Sequence, residues 1–466
     1  MKKLLILCFT FLISYSSNGT HLMGGELTVE HWNGVNYIIN LTAYRDTIGI
    51  PFATSATFEI YDNTGTMVST STVPQDSSSG ALLPGYPYGV EVYSFHDTIN
   101  VPGPGEYEIR WLNCCRNAAI QNLSTPLAEN MFLSTTFTHF PPTVNASSTP
   151  TFLAPPVTYL PINQPWQYNS LPFDADGDSL SWSIDTPYTD YGALAAGWVT
   201  PSADPSGPFV IDDITGQIDW TPDMLGNFVA SILVEEFRAG SKIGEIRRDY
   251  QMIVIPDTTK SPRISNFNVF PKDVNGHAYM DLITNKPVNI IMLAEDPEGH
   301  QVEFLAFGEP FLLNQSPALF TTQTVNGTDK IGTFNWTPDM THARNNPYIV
   351  VFRTRDHIFS FDETVLFNVG AFTTGIDDND PAVIGSTYPN PATNVVFVPL
   401  TLKESANVSL SLYSINGSKI SSFNFGQLPA GEHLKKLDLN VSSGTYFIRL
   451  NINNDRFSTK KIIIGN

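Results

Sequence analysis

Two segments in the middle of the chain carry the same pair of motifs in the same order. The first copy has an Asp- and Gly-containing stretch that begins at Asp174, followed by a Trp-Thr-Pro-Asp motif at Trp220. The second copy has a related acidic stretch from Asp296 and the same motif at Trp336. The two aspartates are 122 positions apart and the two tryptophans 116. Offsets this close indicate a tandem duplication with a short insertion, so the fold must contain one unit twice.

The composition favours short strands and frequent turns. The 466 residues include 34 Pro and 32 Gly, only 15% of them are charged, and no long stretch has the apolar spacing of a helix. A chain of about 440 residues after loss of a leader is too long for a single hydrophobic core, which predicts three or four domains. We therefore expect an all-β protein built from tandem β-sandwiches.

The last eighty residues, 387–466, have the pattern of a separate small β-sandwich. Apolar and polar residues alternate over 408–413, and Asn416-Gly417 then favours a tight hairpin turn. The run at 459–464 has apolar residues on both faces, which predicts an inner position in a sheet. This segment has eight Lys and Arg against four Asp and Glu, whereas the whole chain has a net charge of −20. The charge difference indicates a distinct domain.

Several spaced motifs of this segment resemble the C-terminal sorting domain of cargo proteins of the bacterial type IX secretion system. The resemblance implies contact with the type IX machinery and a location outside the cell or on the outer-membrane surface of a Gram-negative bacterium. Without it, a basic β-domain with no special role stays open. The residues that carry it are Pro389, Asn390, Pro391, Gly417, Gly431, Gly444, Tyr446, Lys460 and Lys461.

The start of the chain predicts export. Lys2 and Lys3 precede ten apolar residues at 4–13, and small and polar residues follow to Thr20. A basic start, a short apolar core and small residues after it indicate a secretory signal peptide over 1–19. The apolar run is too short to span a membrane, and no later stretch is long enough.

The remaining residues divide into three β-domains and a linker. The His-Leu-Met-Gly-Gly-Glu, Tyr-Arg-Asp and Cys-Cys-Arg-Asn motifs of the first domain resemble the N-terminal region of large surface proteins of gliding bacteria, which implies no particular activity. Both duplicated units resemble the immunoglobulin-like, cadherin-like repeats of bacterial surface proteins. The predicted segments are the N-terminal β-domain at 20–142, the two repeats at 143–257 and 258–372, an acidic linker at 373–386 and the tail at 387–466.

The acidic loop of the first repeat is the best candidate for a cation site. Asp174, Asp176 and Asp178 alternate around a glycine-containing turn, and Ca²⁺ prefers several oxygen ligands. The alternative is a plain Asp-rich turn. In the second repeat, Asp296 and Glu298 keep two carboxylates, but a histidine replaces the third, which makes a second calcium site weaker.

Cys114 and Cys115 are the only cysteines outside the signal peptide. Adjacent α-carbons lie about 3.8 Å apart across a trans peptide, below the usual disulfide range of about 4.4–6.8 Å. Such a bridge is strained, but oxidising surroundings disfavour free thiols, so a vicinal disulfide is favoured over two free thiols or a bridge to another chain. No Cys-x-x-Cys spacing is present, so redox catalysis is not expected.

The tryptophans divide into two groups. Trp220 and Trp336 repeat in the same context, which favours core packing over sugar binding. Trp166, Trp182 and Trp198 follow no such pattern, so a carbohydrate-binding face that includes them stays open.

The sequence contains no recognised catalytic motif. His-Glu-x-x-His, Gly-x-Ser-x-Gly and phosphate-loop motifs are absent, and the negative net charge disfavours nucleic acid as a partner. We therefore expect a non-enzymatic secreted or cell-surface protein with adhesive or scaffolding β-domains, and Ca²⁺ is its candidate cofactor. Its surface glycan or protein ligand is unknown, and the alternative is a carbohydrate-binding accessory protein.

Overall fold

The computed structural model describes residues 22–83, 89–201, 207–256, 258–370, 382–385, 387–415, 418–453 and 456–465. Within these residues the chain consists of β-strands and four three-residue 3-10 turns, so the predicted all-β fold is confirmed. The predicted signal peptide and Gly417 lie outside the described residues. The chain divides into two compact units, Met1–Ala371 and Phe372–Asn466.

The first unit begins with nineteen strands in its described residues up to residue 255. In chain order they are β1 (Leu22–Asn33), β2 (Asn36–Asp46), β3 (Ser55–Asp62), β4 (Met67–Pro74), β5 (Ala81–Leu82), β6 (Val90–Asn100), β7 (Gly105–Asn113), β8 (Met131–His139), β9 (Thr151–Phe152), β10 (Val157–Pro161), β11 (Trp166–Asn169), β12 (Pro172–Phe173), β13 (Ser179–Asp185), β14 (Tyr188–Asp190), β15 (Ala193–Leu194), β16 (Val210–Ile211), β17 (Gln217–Trp220), β18 (Gly226–Arg238) and β19 (Ser241–Ile255).

One long strand, β19, joins the first domain to the first repeat. One of its edges pairs with β18 along nearly its whole length. Its other edge meets β8, β1 and β10 in turn, with Gly244 opposite Phe137 and Gly25 opposite Asp249. The main path of this sheet is β4-β3-β7-β8-β19-β1-β2-β6-β5. The sheet therefore continues across residue 142, where the sequence predicts a domain boundary.

The second repeat contains β20 (Arg263–Ile264), β21 (Ala278–Ile283), β22 (Val288–Glu295), β23 (Glu303–Gly308), β24 (Leu319–Val325), β25 (Asp329–Trp336), β26 (Tyr348–Arg355) and β27 (Ser360–Gly370). The 3-10 turns of the first unit are Pro126–Ala128, Phe267–Val269, Glu309–Phe311 and Met340–His342. The second repeat has two sheets, with the strand orders β20-β22-β25-β24 and β21-β27-β26-β23.

The two repeats share their strand pairing. A hairpin ends each of them, β18 with β19 or β26 with β27, and an earlier strand runs parallel to the last one, β10 or β21. Trp220 lies opposite Trp166 in the first repeat, and Trp336 lies opposite Val288 in the second. The duplication in the sequence therefore corresponds to two copies of one sandwich.

The second unit is a small β-sandwich of two sheets, β28-β29-β32 and β31-β30-β33-β34. Its strands are β28 (Ala382–Ile384), β29 (Val395–Leu402), β30 (Ala406–Ser414), β31 (Lys419–Leu428), β32 (Gly431–Asp438), β33 (Gly444–Ile452) and β34 (Arg456–Ile464). Alternate residues of β29 and β30 are buried between the sheets, as a half-buried strand requires. β28 lies within the predicted linker at 373–386, of which residues 373–381 and 386 lie outside the described residues.

The last strand, β34, is at an edge of its sheet, so the prediction of an inner position is wrong. Ile462 and Ile464 are buried, whereas Ile463 is 40% exposed. The segment that opens the unit supplies partners at the end of this edge. The side-chain oxygen of Asn390 accepts the N–H of Ile463 (2.9 Å), and the N–H of Ala392 donates to the Ile463 carbonyl (2.8 Å). A loop rather than another strand therefore pairs with the end of this free edge.

Candidate functional site

The acidic stretches of the two repeats form the same loop. In the first, Oδ1 of Asp174 accepts the backbone N–H groups of residues 176 and 178, at 3.0 and 2.8 Å. In the second, Oδ1 of Asp296 accepts those of residues 298 and 300, at 2.9 and 3.0 Å. Gly177 and Gly299 occupy the same place with φ of +79° and +78°, a region that favours glycine. Each loop is thus fixed by one oxygen of its first aspartate.

In the first repeat this loop brings three carboxyl groups together. Oxygen atoms of Asp174, Asp178 and Glu236 all lie within 4.8 Å of one another. Glu236 comes from the end of β18, and its carboxylate accepts the hydroxyl of Ser147 at 2.8 Å. The second oxygen of Asp174, Oδ2, is buried without a hydrogen-bond partner. We call Asp174, Asp178 and Glu236 the carboxylate cluster.

The electrostatics of the carboxylate cluster favour a cation or a proton. Burial raises the pKa of Asp174 to about 7, and the charges of Asp178 and Asp176 add to the rise. Burial and the adjacent charge of Asp174 also raise the pKa of Glu236. A bound divalent cation offsets this repulsion directly. The guanidinium of Arg238 already does so in part, since it forms an ion pair of two hydrogen bonds with Asp178, at 2.8 and 2.5 Å.

The donor set fits Ca²⁺. Three carboxylates supply oxygen ligands, the unpartnered Oδ2 of Asp174 is available, and Ca²⁺ accepts a flexible set of six to eight oxygens. Asp178 would have to share its oxygens between the ion and Arg238. The sequence did not identify Glu236, because it lies about sixty residues after the loop and joins it only when β18 pairs with β13.

The middle acidic residue of each loop binds the segment that enters its repeat. Oδ2 of Asp176 accepts the backbone N–H of Ser148 at 2.7 Å, and Oε2 of Glu298 accepts that of Lys260 at 3.1 Å. Ser148 and Lys260 both lie in the segment that leads into their repeat. Asp176 and Glu298, which the sequence suggests as ligands, therefore bind the incoming chain in the structure. Asp296 begins its loop in the structure, as Asp174 does in the first repeat.

The motifs of the first domain meet β19 at the joint with the first repeat. Arg116 is fully buried, forms an ion pair with Asp249 (2.5 Å) and donates to the carbonyls of Asn130 and Tyr188. Glu26 pairs in the same way with buried Arg248 at 3.1 Å. These motif residues connect the first domain to the first repeat. A structural role therefore explains the motifs, and no ligand is needed to explain them.

Cys114 and Cys115 form a vicinal disulfide in the structure, and the peptide bond between them is cis. The carbonyl of Cys115 accepts the N–H of Leu22 at 3.2 Å. The pair therefore lies where the start of β1 meets the segment after β7, next to Arg116.

The tryptophans give no exposed platform in the first repeat. Trp220 and Trp336 are buried in the cores of their sandwiches, as the repeated context predicts. Trp166 and Trp182 are buried too, at 1% and 4% exposure, so neither can stack on a sugar from solution. Trp198 is half-buried and donates its indole N–H to the Val229 carbonyl.

The motif residues of the tail lie at turns and at the edge strand. Pro389, Asn390 and Pro391 belong to the segment that meets β34. The hydroxyl of Tyr446 donates to the Ser442 carbonyl at 2.7 Å. Of the others, Gly431 begins β32, Gly444 begins β33, and Lys460 and Lys461 are exposed on β34. These positions shape the sandwich and leave its basic edge strand in contact with solvent.

Comparison with known proteins identifies the tail. Residues 386–465 match the family described as the secretion system C-terminal sorting domain, so the chain is a type IX secretion cargo. No curated protein matches significantly. Among solved structures, an endo-fucoidan hydrolase of glycoside hydrolase family 107 is 13% identical, with a TM-score of 0.16, over 73% of this chain and 42% of that one. Among the described residues, no helix has the length and apolar character needed to cross a membrane.

Proposed function

We propose that this protein is a non-enzymatic scaffold or adhesin that the type IX system exports to the cell surface or the medium. The observation that carries the proposal is the sorting domain at 386–465, attached to tandem β-sandwiches. The sorting domain determines where the chain is exported. The β-sandwiches that precede it are the part that acts there, and we call them the cargo.

The contacts at the joints between the domains support a scaffolding role. The first joint contains the buried Arg116–Asp249 pair. At the second joint, the buried carboxylate of Asp362 binds Arg353 through two hydrogen bonds and also accepts the backbone N–H of Asn169 at 2.8 Å. Removing one partner of a buried charge pair is costly, so joints of this kind hold neighbouring domains in one arrangement.

Calcium at the carboxylate cluster would stiffen the first repeat. The cluster connects the loop after β12 to the end of β18, and the neighbouring Ser147 lies in the segment that enters the repeat. An ion bound there stabilises the folded state by mass action, by about 2.7 kcal/mol at a hundredfold excess over its dissociation constant.

Deleting residues 386–466 tests the export half of the proposal. The truncated cargo should accumulate in the periplasm, while the full chain reaches the surface or the medium; cell fractionation and surface labelling distinguish the two. A full-length chain with the exposed Lys419→Ala substitution is the control for general effects of changing the tail. Normal surface display of the truncated chain would contradict the proposal.

Melting experiments with the full exported chain test the calcium half. Asp174→Asn keeps an oxygen that can fix the loop but removes the charge, so it should abolish the rise in Tm that calcium causes in the wild type. Asp223→Asn changes an exposed aspartate outside the cluster and serves as the matched control. Equal Tm values with calcium and with chelator would remove calcium from the proposal.

Carbohydrate binding is the second candidate, because one cleft of the first unit has an exposed aromatic surface. The guanidinium of Arg110 lies 3.8 Å from the ring centre of Tyr61 and 3.4 Å from that of Tyr191, which is 60% exposed. The cleft has a volume of about 360 Å³, and Glu59 and Asp190 add carboxylates to its wall. A glycan array read with the wild type and Tyr191→Ala tests this candidate; no signal across polysaccharides would exclude it.

A further inference from the structure

The second repeat contains a cluster of side chains at the place that corresponds to the carboxylate cluster of the first repeat, but its chemistry is different. Its members are His300 from the loop, together with Asp356 and His357, which directly follow β26. One ligand-type atom from each lies within 4.8 Å of the other two. The imidazole rings of His300 and His357 are in edge contact, with their centres 4.8 Å apart. We call these three residues the histidine cluster.

Two buried atoms of the histidine cluster lack hydrogen-bond partners. Asp356 is 6% exposed; its Oδ1 accepts the N–H groups of Ile358 and Phe359, both at 2.6 Å, but its Oδ2 has no hydrogen-bond partner. Nδ1 of His300 is likewise buried and unpartnered, and it lies 3.9 Å from that free oxygen. A buried polar atom without a partner costs free energy unless something binds it.

A further carboxylate adjoins the cluster. Asp296 is 7% exposed and fixes the loop through Oδ1, which lies 3.4 Å from Nδ1 of His300. Its Oδ2 is buried and has no hydrogen-bond partner either. The cluster therefore combines two imidazoles with the buried carboxylate of Asp356, and a second buried carboxylate, Asp296, lies next to His300.

We propose that the histidine cluster binds a divalent transition-metal ion of the Zn²⁺ type, through His300, His357 and Asp356, with Asp296 as the adjacent oxygen donor. Imidazole suits zinc and related ions, whereas Ca²⁺ prefers oxygen alone. Zinc binds nitrogen and carboxylate oxygen at about 2.0–2.2 Å in a tetrahedron, so its ligand atoms lie about 3.3 Å apart. The ligand atoms must therefore approach one another by up to about 1.5 Å on binding, and His357, whose side chain is 60% exposed, has the freedom to move.

This site goes beyond the calcium proposal and does not depend on it. The carboxylate cluster of the first repeat contains no imidazole, and the histidine cluster retains few oxygen donors. The same fold thus offers two cations of different chemistry one site each.

Zinc titration of the tag-free full chain tests the proposal. After chelator treatment, isothermal titration calorimetry should detect one equivalent of Zn²⁺ that a tenfold excess of Ca²⁺ does not displace. His357→Ala and His300→Ala should each weaken zinc binding by at least about 10–100-fold. Removing only a hydrogen-bond partner of a metal ligand already weakens metal binding by that factor, and these variants remove a ligand itself. Co²⁺ in place of zinc should give the visible absorption of a four-coordinate ion, and the His300→Ala/His357→Ala double variant should lose it.

Two controls keep the result specific. His96→Ala removes an exposed histidine that also pairs with a single aspartate, Asp76, outside the cluster, and it should leave zinc binding unchanged. Asp174→Asn should reduce the calcium response without affecting zinc, which separates failure of this proposal from failure of the calcium proposal. Because His357 is exposed, its variant should keep the metal-free Tm of the wild type. Absence of zinc binding in the wild type, or equal binding in the double variant, would overturn the proposal.

Discussion

The two repeats fix the same loop in the same way but offer different ligands to a cation. In both, the first aspartate accepts two backbone N–H groups and a glycine follows with positive φ. The fifth residue of the loop, counted from its first aspartate, is Asp178 in the first repeat and His300 in the second. The end of the neighbouring strand adds Glu236 in one case, and Asp356 with His357 in the other. The comparison shows that one loop backbone carries two different sets of candidate ligands, oxygen donors alone in the first repeat and imidazoles with carboxylates in the second.

The joints preceding the two repeats differ in a similar way. On β19 the buried carboxylate of Asp249 forms an ion pair with Arg116, a side chain of the preceding domain. On β27 the buried carboxylate Asp362 has its arginine, Arg353, within its own repeat and receives only a backbone N–H from the preceding one. Both joints place an arginine–aspartate pair in the interior, so each depends on keeping both partners.

The largest expected effect comes from breaking the second joint. Asp362→Ala leaves the guanidinium of Arg353 buried without a counter-charge and the N–H of Asn169 without its acceptor. The free energy of unfolding should fall by about 3–5 kcal/mol, measured by urea denaturation followed by circular dichroism. Glu303→Ala breaks the exposed pair with Arg355 and should cost below about 1 kcal/mol. Equal losses from the two variants would contradict the buried character of this joint.

Exchanging the donor set is the most direct test of the comparison between the loops. His300→Asp gives the second repeat the acidic fifth position of the first, so zinc affinity should fall and a second equivalent of calcium should bind. Saturating calcium should then stabilise this variant beyond the wild type, by up to about 2.7 kcal/mol at a hundredfold excess over the dissociation constant. Calorimetry with both ions measures the exchange, and His96→Asp is the control. Unchanged ion preference would show that the fold, rather than the fifth position, selects the cation.

Part of this comparison could be predicted from the sequence. The spacing of Asp174 and Asp296, and of Trp220 and Trp336, indicated two copies of one β-unit, which is what the strand pairing shows. Local spacing also placed the loops correctly, because an aspartate that binds the N–H groups two and four residues on needs only its own neighbours.

Some members of the two candidate cation sites could not be assigned from the sequence. Glu236 and Asp356 reach their loops only through strand pairing with residues far away in the chain, so no local spacing marks them. Asp176 was suggested as a ligand because carboxylates alternate in the loop; in the structure its Oδ2 accepts the backbone N–H of Ser148. The edge position of β34 was missed for a related reason: the apolar Ile463 suggested a second covered face, yet it is exposed.

The loop glycines should give a smaller, matched pair of effects. Gly177→Ala and Gly299→Ala each place a side chain at φ near +79°, which costs about 1 kcal/mol for an L-residue, and neither new methyl group meets a close neighbour. Thermal melting in chelator should therefore show similar falls in Tm for both. Gly103→Ala, at an open position outside the left-handed region, is the control and should change little. A large cost in only one repeat would show that the two loops are not equivalent.

The smallest expected effect is a pH dependence of the contact between the repeats. His277 of the second repeat lies 2.8 Å from Asp212 of the first and 3.1 Å from its own Asp273. Burial lowers the pKa of His277, but the hydrogen bonds and charges of these two carboxylates outweigh it, so the net pKa is raised above 6.5.

A histidine whose pKa is raised on folding stabilises the protein fully below its unfolded pKa, about 6.5, and loses that contribution as pH rises through the folded value. The difference in Tm between the wild type and His277→Gln should therefore be largest near pH 6 and shrink toward pH 8.5. Its size should correspond to less than about 1 kcal/mol, because the carboxylates are partly exposed. His433→Gln, in the second unit, should show no such trend. A difference that grows with pH would mean that His277 is bound as the neutral imidazole, and that the two repeats are joined there by hydrogen bonds alone.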